Sequence, residues 1–79
     1  MVNHPNRKRL PWHVTVNGAL SARFLLYADA HFFARRLSAD IGCGTEVHSR
    51  DAIFGQYVKG RSTPEFERHA VEAATMARD

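Results

Sequence analysis

Residues 28–42, ADAHFFARRLSADIG, decide the architecture, because start, periodicity and stop all agree on a helix. Asp29 suits the helix N-cap, where a carboxylate accepts from free backbone N–H groups and complements the positive end of the dipole. Ala30, Phe33, Ala34, Leu37 and Ile41 follow at the helical spacing that lines one face with apolar side chains. His31, Arg35 and Ser38 are expected to point away from that face. Gly42, suited to the left-handed conformation that closes a helix, marks the end. A helix of about 12 residues is too short to persist alone in water, so it needs a surface to lie on.

The surface is supplied by the preceding residues. Residues 10–27 read as a β-hairpin around Asn17-Gly18, a strong short-range turn signal. A plain two-residue turn places Trp12 and Val14 on one side of the sheet and Leu20, Phe24 and Leu26 on the other. A three-residue loop of Val16, Asn17 and Gly18 instead sets Val14 opposite Leu20, Trp12 opposite Ala22 and Leu10 opposite Phe24, which gathers the apolar residues on one face. The second register is preferred. It puts His13, Thr15, Ser21, Arg23, Leu25 and Tyr27 on the outer face.

Beyond the helix, residues 45–50 and 53–59 read as two further strands joined at Asp51-Ala52. Thr45, Val47, Phe54 and Val58 then share the inner face, and Glu46, His48, Arg50, Ile53 and Tyr57 the outer one. Gly55, mid-strand, marks a bulge or a close backbone approach. Ser62-Thr63-Pro64-Glu65 opens a C-terminal helix, with proline in its first turn. Phe66, His69, Ala70, Ala73, Ala74 and Ala77 form a stripe of mostly small residues, which permits close packing on the first helix or on a copy of itself in a dimer.

The expected fold is therefore α+β, in the order ββαββα: a mainly antiparallel four-stranded sheet, one helix on its inner face and a C-terminal helix. Residues 1–9 read as a flexible basic arm and residues 10–79 as a single domain. The expected core is Trp12, Val14, Leu20, Phe24, Leu26, Phe33, Leu37, Ile41, Val47, Phe54, Val58 and Phe66.

Composition bounds the function. At 79 residues and 44% hydrophobic, the chain is too apolar for disorder, and no apolar run reaches the roughly 18 residues of a membrane span. With no signal-peptide pattern and Cys43 as the only cysteine, a reducing, cytoplasmic setting is expected. The net charge is +3, and nine of the eleven cations are arginine, whose planar fork suits phosphate and carboxylate. Residues 1–60 hold eight Lys or Arg against four Asp or Glu, so the basic excess lies toward the front.

Chemistry-bearing clusters are sparse. Cys43, His48, His13 and His31 lack the paired spacing of a zinc site. Cys43, His48 and Asp51 have the types of a nucleophile, base and orienter, but lie too close in sequence to converge beside a cleft. Neither a phosphate loop nor a dinucleotide fingerprint is present. No cofactor, metal or catalysis is expected. Cys43 reads as a small apolar plug after the helix.

What remains is recognition by a surface. Arg7, Lys8 and Arg9 in the arm, with His13, Arg23, Tyr27, His48, Arg50 and Tyr57 on the outer face, combine cations for phosphates with rings for stacking. The expectation is a small non-enzymatic, regulatory binding protein that holds nucleic acid. The alternative is a protein interaction module, inhibitor or adaptor docking on a larger complex, since Arg and Tyr are also enriched at protein interfaces. A homodimer is a further expectation.

Overall fold

The computed structural model describes residues 10–77; the arm of residues 1–9 and its Arg7, Lys8 and Arg9 lie outside the described residues. Five strands and two helices follow one another as β1 (Trp12–Val16), β2 (Ala19–Phe24), α1 (Tyr27–Ile41), β3 (Thr45–Ser49), β4 (Ala52–Val58), β5 (Arg61–Ser62) and α2 (Glu67–Ala77). The α+β order of the sequence reading stands, with one strand added. The sheet is antiparallel in the order β2-β1-β3-β4-β5. The fifth strand arises because Lys59 (φ 52°) and Gly60 (φ 82°) both adopt positive φ and fold the chain back on β4.

The first hairpin uses the tight turn after all. Asn17 (φ 52°) and Gly18 (φ 84°) form it alone, and Val16 faces Ala19. The apolar residues are brought to one face by a bulge further along. Thr15 pairs with Leu20 and Val14 with Ala22, which leaves Ser21 without a partner. One extra residue reverses the alternation, so Trp12 faces Phe24 and both lie on the helix side. Leu20 is left on the other side, 52% exposed, and drops out of the expected core.

The second hairpin repeats the device. Its turn is Arg50-Asp51, not Asp51-Ala52, since Ser49 faces Ala52. His48 pairs with Ile53 and Val47 with Gly55, leaving Phe54 as the extra residue. The parity of everything after Phe54 is thereby inverted from the expected one: Tyr57 turns inward and is buried, while Val58 turns outward and is exposed.

Helix α1 lies across the inner face. It starts three residues earlier than expected, with Leu26 as N-cap and no side-chain capping bond. Asp29 sits in the first turn, where its charge still favours the dipole. Gly42 closes the helix as expected, at φ 71°, donating its N–H to the Ser38 carbonyl at 2.9 Å. Ala30 and Ala34, fully buried, let the helix approach Val14 and Val47 closely. Each of those valines contributes about 1.5–3 kcal/mol by leaving water. Trp12, Phe24, Phe33 and Phe54 pack around this centre.

The buried arc of α1 is wider than its apolar stripe, because α2 covers a second flank. The stripe of small residues on α2 faces α1, with Ala70, Ala73, Ala74 and Ala77 meeting Ala28, His31 and Phe32 around a space of about 40 Å³. His31 and Ser38, expected outside, are consequently inside. Leu26 and Ile41, expected inside, are exposed, and Leu37 and Phe66 are half-buried. Thr63 precedes a single 3₁₀ turn, Pro64–Phe66, that leads into α2, with proline at the expected first-turn position.

Ser38 pins the C-terminal half of α1 to the β4–β5 turn. Its hydroxyl donates to the Arg35 carbonyl at 2.7 Å and accepts from the Gly60 N–H at 2.9 Å, while Arg35 Nε donates to the Gly60 carbonyl at 3.1 Å. Thr45 fastens β3 from below, donating to the Ala34 carbonyl at 2.7 Å. Cys43 is exposed, so it plugs nothing.

Candidate functional site

Both helices lie on one side of the sheet, and among the described residues no element covers the other face. Cross-strand partners share a face, so the ladder reads out this surface directly. One row runs Arg23, His13, His48, Ile53 across β2, β1, β3 and β4. The next runs Leu20, Thr15, Glu46, Gln56. Arg50 projects from the β3–β4 turn and is exposed.

A polar chain crosses this face. His48 Nε2 lies 2.9 Å from Glu46 Oε1 and 3.2 Å from Thr15 Oγ1. Since a carboxylate only accepts, the proton sits on Nε2 and points at Glu46. Gln56 donates to the other Glu46 oxygen at 3.3 Å and accepts from Thr63 Oγ1 at 3.3 Å. Glu46 thus holds His48 and Gln56 in place. His13, opposite both Arg23 and His48, has its pKa lowered from 6.5 by partial burial first, then by the adjacent Arg23 and His48 charges. It is therefore neutral at pH 7, and the permanent cations here are Arg23 and Arg50.

Of the sequence-derived candidates, His13, Arg23 and His48 are brought into one row and Arg50 stands at the turn beyond β3. Tyr27 and Tyr57 are not on this face. Tyr27 opens α1, its ring 4.9 Å from Trp12 and 4.4 Å from His31, and its hydroxyl donates to Glu72 at 3.1 Å or the His69 carbonyl at 3.2 Å. Burial, and then the hydrogen bond to Glu72, push its pKa well above 10. Tyr57 is inverted inward by the Phe54 bulge, and its hydroxyl meets His31 Nδ1 at 2.7 Å. Burial pushes its pKa up to about 12. Both rings tie elements of the core together and offer no platform for stacking on the open face.

The sequence reading missed Leu20, Gln56 and Val58 as members of this face; Leu20 follows from the two-residue Asn17-Gly18 turn, while the bulge that turns Val58 outward has no local sequence signature. Among the described residues, no three His, Cys, Asp or Glu side chains converge as a metal-binding group, and no helix is long and apolar enough to cross a membrane. The fold and face together define a small α+β domain with one helix-covered and one open sheet surface. Comparison with protein-family models, with curated proteins and with solved structures gave no match.

Proposed function

We propose that this chain is a small non-enzymatic binding protein whose open sheet face tracks the phosphate backbone of a nucleic acid. The observation that carries the reading is the helix-free face with Arg23, His13 and His48 in one cross-strand row. Arg50 stands beyond Ser49, the partner of Trp12, so it lies at the end of the sheet where the chain enters. The basic run Arg7, Lys8 and Arg9 precedes β1 in the sequence. With Tyr27 and Tyr57 inside, the mode is charge pairing and hydrogen bonding to phosphates, and base stacking is not part of it.

A second reading, a protein interaction module, is favoured by Leu20, Ile53 and Val58, which are 52%, 43% and 41% exposed on the same face. The two separate on salt. Four phosphate contacts would lower affinity about a hundredfold between about 50 and 200 mM salt. The test is a titration of the full chain against labelled single- and double-stranded DNA and RNA at those two salt levels. Arg23→Ala with Arg50→Ala should weaken binding and flatten the salt slope by about 2. Unaltered affinity in that folded double variant would refute the sheet-face model, and no binding at either salt would leave the protein target as the reading.

A further inference from the structure

The far side of α1 carries a second surface, unrelated to the open sheet face. Phe32 is 63% exposed on the crown of the helix, where a ring of that size is poorly placed in water. Asp29 and Arg36 are also exposed, and the spacing 29, 32, 36 sets all three on one stripe. Beside them a groove is lined by Phe24, Phe33, Asp29, Arg36 and Phe32 itself. Arg35, on the next flank, is already held by the Gly60 carbonyl.

This stripe is complementary to itself. Asp29 and Arg36 are seven residues apart, about 10 Å along the axis, with Phe32 and Phe33 at the midpoint. A second α1 laid antiparallel about a two-fold axis through that midpoint sets Asp29 against the partner's Arg36 and Arg36 against the partner's Asp29. The same operation delivers Phe32 toward the groove of the other copy. Two-fold interfaces require the same patch on both subunits to be its own complement, and here one stripe holds the acid, the base, the apolar knob and the groove.

We propose that the occupant of this surface is a second copy of the chain, docked α1 against α1 through Phe32 with two reciprocal Asp29–Arg36 pairs. The dimer has four layers, sheet, helices, helices, sheet, and it leaves both open sheet faces outward. The contact differs from the dimer contact expected in sequence, since the small-residue stripe of α2 faces α1 of its own chain.

The test is the mass of the full chain by sedimentation equilibrium from micromolar to millimolar concentration. A reversible dimer is expected, and Phe32→Ser should raise its dissociation constant more than tenfold while the circular dichroism stays unchanged, because the ring is largely exposed. Asp29→Arg alone creates two Arg–Arg contacts and Arg36→Asp alone creates two Asp–Asp contacts, so each should be monomeric. An equimolar mixture of the two restores both opposite-charge pairs and should dimerise. A wild-type monomer at millimolar concentration would overturn the proposal, as would a dimer that survives Phe32→Ser. Failure of two folded single variants to associate on mixing would overturn the antiparallel register.

Discussion

Gly55→Ala should destabilise the domain through one contact, and the cost can be worked from the geometry. Gly55 lies on the inner face of β4 opposite Val47. A Cβ added there would stand 2.6 Å from His31 Cε1, 3.0 Å from His31 Nδ1 and 3.3 Å from Val47 Cβ. The His31 ring cannot swing aside: its Nδ1 is held by the Tyr57 hydroxyl at 2.7 Å, and Tyr27 packs across it at 4.4 Å. Overpacking at such a site costs about 1–3 kcal/mol, less about 0.5–1 kcal/mol regained by replacing glycine within a strand. A domain of this size holds only about 3–5 kcal/mol in all, so the loss is large. Urea unfolding of wild type, Gly55→Ala, His31→Ala and the double variant forms a cycle that isolates the clash. His31→Ala alone should also destabilise, by leaving a cavity. In the His31→Ala background the added methyl has room, so Gly55→Ala should there become neutral or stabilising. Equal cost in both backgrounds, or no cost in the wild type, would refute the reasoning.

The same histidine makes stability depend on pH. Burial first, then the nearby His69 charge, against a smaller opposing effect of Glu72, lowers the His31 pKa from 6.5 to about 4. Below pH 6.5 the unfolded chain takes up a proton that the folded one does not, so stability falls as pH drops through this window and levels off below about 4. The depression amounts to about 3 kcal/mol in full. Urea midpoints should therefore fall between about pH 7 and about pH 4.5, and His31→Gln should remove most of that slope; a flat wild-type profile would contradict it. At the β3–β4 turn, Arg50 holds a φ of 57°, which asparagine tolerates better than arginine. Arg50→Asn should thus raise thermal stability by under about 1 kcal/mol while weakening nucleic-acid binding, and calorimetry with the salt titration reads both.

The local features of this chain are legible residue by residue. Gly42 closes α1, Asn17-Gly18 turns the first hairpin and Pro64 opens the C-terminal helical segment because each acts through its own backbone preference and near neighbours. The Ala30, Phe33, Ala34 spacing likewise sets one face of α1 toward the sheet, and Gly55 announces a close approach without naming what approaches. The outward facing of His13 and His48 followed from strand alternation within β1 and β3, whereas Arg23 joins their row only through the Ser21 bulge.

Which side of the sheet the remaining residues occupy was decided only by tertiary structure. The bulges at Ser21 and Phe54 each insert one unpaired residue, and a single insertion reverses the facing of every residue beyond it. That is why Phe24 and Tyr57 lie inside while Arg23 and Val58 lie outside; Leu20, ahead of the first bulge, is set outside by the tight Asn17-Gly18 turn. The bulges are set by what they bring together: Trp12 with Phe24 across the first hairpin, and Phe54 against Trp12 at 5.2 Å and His69 at 5.7 Å. The inward turn of His31 and Ser38 has the same origin. Their polarity predicts solvent, but α2 covers one flank of α1, Tyr57 binds the imidazole and Gly60 binds the hydroxyl. Contacts between residues 22 or more positions apart thus overrode the helical period, which reports only what each residue prefers beside its neighbours in the chain.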